Sequence, residues 1–313
     1  MEVIRGLHNL RARHRGSAVT IGNFDGMHLG HQAMLEQLRE RARALGVKAT
    51  VMIFEPAPRE FFQGDAAPAR LSSLREKCTA LAAAGAEQVL VVRFDKAFSS
   101  LAPQGFIQRL LIDGLGARYV LVGDDFRFGH RRAGDFATLE QAGAQQGFEV
   151  AAVPTIKVDG ARVSSTRVRA SLARHDFDAA RRLLGHEYAI CGRVRHGDEL
   201  GRELGFPTAN LALKRRVSPV NGIYVVRVDG IGYGAASVGT RPTVQGKDRL
   251  LEVYLYDFDG GLYGRHLKVE FLHWLRNEVK FPDVETMRKQ IVNDAEEGRE
   301  WLRSFAKTCA NHD

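Results

Sequence analysis

The sequence is poor in cysteine and has no long apolar run. Its 313 residues include three cysteines, Cys78, Cys191 and Cys309, which lie far apart and form no C-x-x-C pair. This odd, scattered set is typical of free thiols in a reducing cytoplasm, not of a disulfide-bonded secreted domain. No apolar stretch approaches the roughly 18 residues that a membrane-spanning helix needs. We therefore expect a cytoplasmic protein with no membrane segment.

A secretory signal and a nucleic-acid-binding signature are also missing. Residues 1–16 are basic but contain no apolar core of a signal peptide. The net charge of +8 favours binding to polyanions. However, arginines alternate with acidic residues, as in residues 36–43, and no long basic run occurs. We expect no nucleic-acid partner, because a basic surface equally suits small phosphorylated substrates.

The order of apolar segments predicts two domains of different class. The first half alternates apolar strands with helical patterns, which is typical of a parallel α/β sheet. From Tyr188 the pattern changes to short strands separated by glycine turns, which predicts a small antiparallel β-barrel. A C-terminal helix follows, with Asp283 as its predicted N-cap. Gly185 ends the last helix of the first half, so we predict domains at 1–185 and 186–313.

Two histidines lie between the first strong strand and a helix. The segment G-N-F-D-G-M-H-L-G-H covers residues 22–31, which we call the histidine loop. Backbone N–H groups and the helix dipole favour an anion at this position, and Gly30 permits close approach to a phosphate. His28 and His31 can donate hydrogen bonds to a triphosphate whose α-phosphorus is attacked. Simple helix capping is the alternative, and a zinc site lacks a third ligand at a recognisable spacing.

A second anion-friendly helix start occurs at residues 163–169. Ser164, Ser165 and Thr166 can cap the helix, and the same N–H groups can hold phosphate oxygens. Capping alone explains the serines but not the arginines that follow. Arg169 would neutralise a departing pyrophosphate.

Aromatic residues follow two of the predicted strands. Phe54 and Phe62 border the segment F-E-P-A-P, and G-D-D-F-R-F-G covers residues 123–129. Flat rings at strand ends can stack on a flat aromatic ligand, and Arg127 can bind phosphate with two hydrogen bonds. Core packing is the competing explanation for each single phenylalanine.

The segment G-R-E-L-G-F-P-T-A-N, residues 201–210, is the most distinctive part of the second half. Gly201 and Gly205 permit a backbone turn around phosphate. Thr208 and Asn210 lie two residues apart, so on an extended chain both side chains point to one side. Together with ATP phosphates they can hold a hard cation such as Mg²⁺. A proline-containing turn with local hydrogen bonds is the alternative.

These segments together resemble a known family over nearly the whole chain. The histidine loop and S-S-T-x-x-R are similar to the signature of nucleotidyltransferases, and G-F-P-T-A-N is similar to that of riboflavin kinases. The chain thus resembles the bacterial bifunctional riboflavin kinase/FMN adenylyltransferase family. The resemblance implies a Rossmann-like nucleotidyltransferase domain and a riboflavin-kinase-like barrel. It implies Mg²⁺-dependent phosphorylation of riboflavin to FMN by ATP, then adenylylation of FMN to FAD with release of pyrophosphate.

The resemblance also assigns roles to particular residues. It makes Glu252 the base for the ribityl hydroxyl group, while His28, His31 and Arg169 serve adenylyl transfer. The expected nucleotide-binding residues are Gly22, Asn23, Phe24, Asp25, Gly26, His28, Gly30, His31, Ser164, Ser165, Thr166, Arg169, Gly201, Gly205, Thr208 and Asn210. The expected flavin-binding residues are Phe54, Phe62, Asp125, Arg127, Phe128 and Arg276. Thr208 and Asn210 are the expected metal ligands.

Two other functions remain open at this point. One is a single-activity nucleotidyltransferase with a degenerate C-terminal half. The other is a non-catalytic module that binds flavin or nucleic acid. An oligomer is compatible with the sequence, which does not decide the point.

Overall fold

The computed structural model describes residues 1–196, 206–213, 215, 217–243 and 246–310, with side chains except at 240–248 and 308–310. The chain divides into two compact units, described separately below. The first unit contains residues 1–68 and 72–165, and the second contains residues 69–71 and 166–313. This division falls earlier in the chain than the predicted boundary at residue 185, which stays a prediction.

The first unit is built on a six-stranded parallel sheet. Its strand order is β1-β4-β3-β2-β5-β6. The strands are β1 (Glu2–Arg5), β2 (Ser17–Ile21), β3 (Lys48–Glu55), β4 (Gln88–Arg93), β5 (Tyr119–Gly123) and β6 (Glu149–Val153). From β2 the chain proceeds to one side through β3 and β4, whereas β5 and β6 lie on the other side. The topological switch point, where ligands bind in open α/β sheets, is therefore between β2 and β5.

Helices cover both faces of this sheet and enclose two apolar cores. They are α1 (Leu29–Leu45), α2 (Pro58–Gln63), α3 (Leu74–Ala83), α4 (Lys96–Ser99), α5 (Pro103–Phe106, extended as a π-helix over Ile107–Gly114) and α6 (Phe136–Gln146). Helix α1 ends at Gly46, whose φ of 64° is the left-handed conformation that favours glycine. A small hairpin, β7 (Lys157–Val158) and β8 (Ala161–Arg162), precedes α7 (Ser165–Ala173).

The second unit contains a closed six-stranded antiparallel barrel with the order β10-β13-β12-β11-β14-β9. Its strands are β9 (Ala189–Arg195), β10 (Thr208–Leu213), β11 (Gly222–Val228), β12 (Gly232–Thr243), β13 (Gly246–Leu255) and β14 (His266–Arg276). Helices α8 (Phe177–Leu184) and α9 (Val284–Ala310) complete it. Asp283 Oδ1 accepts a hydrogen bond from Thr286 N at 2.7 Å, as its predicted N-cap role requires.

The predicted fold class is confirmed: a parallel α/β sheet is followed by an antiparallel barrel and a C-terminal helix. Elements without a prediction include the edge strand β1, the helices α2, α4 and α6, and the hairpin of β7 and β8. Within the described ranges, no helix has the length and apolar character that crossing a bilayer requires.

Candidate active sites

The histidine loop leaves β2 at the switch point with an unusual backbone. Phe24 and Met27 have positive φ values of 47° and 41°, and Gly26 between them has φ of 90°. Non-glycine residues rarely adopt this conformation, and it is commonly stored at functional sites. Phe24 is completely buried, so its ring anchors the loop in the core. The buried ring of Phe24 therefore fixes the position of the loop that carries the two histidines. Asn23, the preceding residue, is exposed.

His28 and His31 stack face to face at the start of α1. Their ring centroids are 3.6 Å apart, with an interplanar angle of 13°. His28 is the N-cap of α1, and its Nδ1 accepts from His31 N at 3.3 Å. An Nδ1 that accepts leaves the proton of a neutral imidazole on Nε2. The capping alternative is thus realised through Nδ1 of His28.

His31 is held in its neutral form. Burial, followed by the nearby charges of His28 and Lys77, keeps the pKa of His31 well below its usual value of 6.5. Its Nδ1 is sealed from solvent and has no hydrogen-bond partner among the described residues. Lys77, on α3, is only 3% exposed. No sequence pattern pointed to this buried lysine, because α3 comes close to the loop only in the folded unit.

The lowered pKa of His31 predicts acid sensitivity of the first unit. Below about pH 6.5 the unfolded chain takes up a proton that folded His31 refuses, so the free energy of unfolding falls as pH falls. We expect His31→Asn to lose less of its melting temperature than the wild type between pH 7.0 and 5.5. Calorimetric melting curves at both pH values measure this. The control is His8→Asn, because His8 is exposed and its replacement should leave the pH dependence as in the wild type. A fall in melting temperature as large in His31→Asn as in the wild type would contradict the prediction.

The two predicted anion sites of the first half meet in the first unit. Ser165 Oγ, at the start of α7, donates to the carbonyl oxygen of Asp25 at 2.8 Å. A Cβ atom added at Gly30 would lie 3.3 Å from Cε1 and Nδ1 of His28 and 4.0 Å from the carbonyl oxygen of Val163. The glycine therefore makes room for the His28 ring, beside the segment that contains Ser164. Residues more than 130 positions apart thus form one anion-friendly surface.

The remaining residues of S-S-T-x-x-R belong to the second unit. Thr166 is exposed on the first turn of α7. Arg169 is half-buried, and its Nε donates to the carbonyl oxygen of Ala69 at 2.5 Å. This bond fixes the guanidinium group, and the neutralising role of Arg169 stays a prediction.

A cavity of about 320 Å³ lies beyond the carboxyl end of β5. The predicted residues Asp125 and Arg127 line it, and Phe128 does not; the other lining residues are Asp124, Phe126, Arg132, Asp135, Phe136 and Ala137. Phe128 is 6% exposed and packs in the core, with its ring stacked on Phe126 at 5.5 Å. Phe126 is thus the ring of this pair that borders the cavity.

Ion pairs fix the charged groups around this cavity. Arg127 Nη1 lies 2.9 Å from Asp135 Oδ2. Arg162, on the hairpin before α7, lies 2.8 Å from Asp125 Oδ1 and 3.3 Å from Asp124 Oδ1. The hydroxyl of Thr155 and the charge of Arg162 lower the pKa of Asp124. Sequence reasoning missed Arg162, although it directly precedes the S-S-T segment.

The two other predicted flavin residues of the first unit differ in exposure. Phe54 is half-buried and packs against Phe94 and Phe98, with ring centroids 5.8 Å and 5.6 Å away. Phe62 is 68% exposed and contacts Phe61 and Phe94 edge to face. Of these two residues, Phe62 has the open ring and Phe54 packs in an aromatic cluster; flavin contact by either residue stays a prediction.

In the second unit, Asn210 and Glu252 are direct partners in the register of β10 and β13. The alternate residues Leu211 and Leu251 are fully buried, so Asn210 and Glu252 occupy the opposite face of these strands. Ser237 on β12 pairs with Glu252, and Arg195 on β9 pairs with Asn210. Four polar residues therefore form one row across four strands of the barrel. The register thus places Glu252 beside Asn210, and its role as a base stays a prediction.

Asn210 also provides the test of whether a cation fits. It is 8% exposed, and its Oδ1 is sealed from solvent without a hydrogen-bond partner among the described residues. A buried acceptor without a donor is the type of atom that a hard cation satisfies. Thr208 lies on the same strand two residues earlier, as predicted. The described part of the chain contains no group of three or more His, Cys, Asp or Glu residues arranged for a metal.

For three predicted site residues of the second half, the structure gives no sign of a ligand contact. Gly201 and Gly205 lie outside the described residues. Arg276 forms a two-point ion pair with Asp294 of α9, with both nitrogen-to-oxygen distances at 2.7 Å. Asp294 is 4% exposed, so this pair ties the end of β14 to the helix. Flavin contact by Arg276 stays a prediction.

The first unit has the parallel α/β sheet of a nucleotidyltransferase-like domain, and the second is an antiparallel barrel with a polar row. A family model described as FAD synthetase matches residues 10–167, and one described as riboflavin kinase matches residues 184–302. The chain belongs to the bifunctional riboflavin kinase/FMN adenylyltransferase family, which confirms the resemblance.

Similar proteins cover the chain almost completely. The bifunctional riboflavin kinase/FMN adenylyltransferase of Pseudomonas fluorescens is 52% identical to this chain, and the match covers 96% of this chain and 97% of that protein. The protein of the same name in Escherichia coli K12 is 49% identical, over 96% and 98%. A crystal structure described as a macrolide-efflux protein from Streptococcus pneumoniae has a TM-score of 0.78 and 29% identity, over 96% of this chain and 100% of that one.

Proposed function

We propose that this chain is a bifunctional enzyme that makes FMN from riboflavin and ATP, and then FAD from FMN and a second ATP. The match of one half to FAD synthetase and the other to riboflavin kinase supports both activities. One observation supports the site assignment in both halves: in each half, two predicted site residues from distant segments lie next to each other. Ser165 meets Asp25 in the first unit, and Asn210 faces Glu252 in the second. An intact second site disfavours the single-activity alternative.

Adenylyl transfer is assigned to the histidine loop and the start of α7. A phosphate oxygen of FMN attacks the α-phosphorus of ATP, the bond to the β-phosphate oxygen breaks, and pyrophosphate leaves. Such in-line displacements depend on positioning and on stabilising charge at the phosphoryl oxygens. His28 and neutral His31 act as hydrogen-bond donors to these oxygens. Ser164, Ser165 and Thr166 hold the phosphates that leave, and Arg169 neutralises their charge.

The flavin of FMN is assigned to the cavity beyond β5. Phe126 borders this cavity, and Asp125, Arg127 and Arg162 form a fixed polar rim. Phe62 lies outside the lining of this cavity, and the resemblance alone assigns its exposed ring to the flavin. Fixed ion pairs suit recognition of the polar edge of isoalloxazine, because they need no reorganisation on binding.

Riboflavin phosphorylation is assigned to the polar row of the barrel. Glu252 accepts the proton of the ribityl 5′-hydroxyl group while that oxygen attacks the γ-phosphorus of ATP and ADP leaves. Thr208 and Asn210 would hold Mg²⁺, which supplies charge neutralisation at the ATP phosphates. The scattered cysteines support a cytoplasmic location, where ATP is available.

A time course with riboflavin, ATP and Mg²⁺ tests both activities at once. We expect FMN to appear first and then decline as FAD accumulates, since FMN is the product of one site and the substrate of the other. Chromatography resolves the three flavins. FMN without FAD would contradict the adenylylation assignment, and neither product from folded protein, with reduced flavin also tried, would overturn the proposal. Replacing Mg²⁺ by EDTA is the matched control.

A further inference from the structure

Ser72, which no motif singled out, makes a reciprocal pair of hydrogen bonds with the histidine loop. Its backbone N–H donates to Asp25 Oδ1 at 2.9 Å. Its hydroxyl oxygen accepts from the backbone N–H of Gly26 at 3.2 Å. All three residues belong to the first unit. One bond holds the N–H group of the Asp25–Gly26 peptide, and the other holds the side-chain carboxylate of Asp25.

The bonds act on the strained part of the loop. Gly26 and Met27 both have positive φ, and His28 follows directly. A methionine in this conformation is strained, so surrounding contacts must hold it there. Gln32 Nε2 contributes one such contact by donating to the carbonyl oxygen of Met27 at 2.8 Å. Ser72 supplies the contacts on the preceding peptide, immediately before the catalytic histidine.

Ser72 itself lies on a rigid support. The next residue, Ser73, is the N-cap of α3 and forms a capping box with Glu76, in which Glu76 N donates to Ser73 Oγ at 3.3 Å. The same helix carries buried Lys77, whose charge acts on His31. Ser72 therefore contacts the loop from immediately before the N-cap of α3, and Lys77 in the first turns of this helix acts on His31.

We propose that Ser72 is a positioning residue for FMN adenylylation: its hydroxyl group holds the histidine loop in the shape that presents His28 and His31 to the nucleotide. This inference rests on the proposed role of the histidine loop in adenylyl transfer. Because catalysis here depends on positioning, misplacement of the histidines lowers the rate of the bound complex more than it weakens substrate binding.

Ser72→Ala and Ser73→Ala form a matched pair of test variants. Ser72→Ala removes the acceptor for Gly26 N–H and keeps the backbone bond to Asp25. We expect its kcat for FAD formation to fall about tenfold, with KM for FMN and riboflavin phosphorylation almost unchanged. Ser72→Thr keeps a hydroxyl group and should restore the rate. Ser73→Ala removes the helix cap, so it should lower the melting temperature and leave kcat near the wild-type value.

The outcomes separate this inference from the proposed function. A wild-type kcat in Ser72→Ala, an equal loss in Ser73→Ala, or no rescue by Ser72→Thr would overturn the role of Ser72. Failure of the wild type to make FAD, or full activity of His28→Ala, would instead overturn the assignment of the histidine loop. Pyrophosphate release measures FMN adenylylation, and FMN formation from riboflavin measures the kinase reaction in the same preparation.

Discussion

His28→Ala is expected to lower FAD formation about 10²- to 10³-fold while FMN formation from riboflavin continues at the wild-type rate. The loss has this size because one preorganised donor to a developing charge in a water-poor site is removed. His28 is 7% exposed and stacked on His31 at 3.6 Å, so its removal also takes away the stacking partner of the second ring. Chromatographic assays with FMN and with riboflavin as separate starting substrates measure the two reactions.

His28→Asn distinguishes chemistry from capping. An asparagine oxygen can accept from His31 N and cap α1 as the imidazole does. It does not place a ring N–H at the position of Nε2. We therefore expect His28→Asn to melt like the wild type and to make FAD as slowly as His28→Ala. Wild-type FAD formation by His28→Asn would show that His28 serves only as a cap.

Glu252→Gln is expected to lower riboflavin phosphorylation roughly 10²- to 10⁴-fold, the range that general-base catalysis contributes. Glutamine keeps the size and the hydrogen-bonding capacity of the side chain but does not accept the substrate proton. When FMN is supplied, FAD formation should remain at the wild-type rate, because the adenylylation residues are assigned to the other half of the chain. Initial rates of FMN formation measure the effect.

Glu270→Gln is the control for this substitution. Glu270 is also a strand glutamate of the barrel, and Arg227 and Lys268 hold it at 2.6 Å and 2.8 Å. Their contacts lower the pKa of Glu270 against the opposing effect of burial. We expect its replacement to lower the melting temperature without the loss of phosphorylation seen in Glu252→Gln. Equal losses in both variants, or loss of both activities in folded Glu252→Gln, would contradict two separate sites.

Local sequence predicted the elements whose signals are local. Strand β2, helix α1 and its end at Gly46 follow from an apolar run, a helical period and a glycine. The edge strand β1 has only four residues and exists through its pairing with β4, which starts some 80 residues later. Helix α6 buries only Leu139 and Gly143, so its apolar period is weak. The missed elements are thus those that tertiary contacts stabilise.

The sequence by itself determined the chemistry: two histidines at a helix start, a capped second anion site, and an oxygen-rich segment in a barrel. Only the tertiary structure decided which distant residues meet them. In the folded chain Ser72 contacts the histidine loop, Lys77 lies near His31, and Glu252 lies opposite Asn210. Strand register and helix packing bring these residues together, and both depend on burying apolar faces that are far apart in the chain. No local pattern encodes such a pairing, because each partner looks like an ordinary surface residue in its own segment.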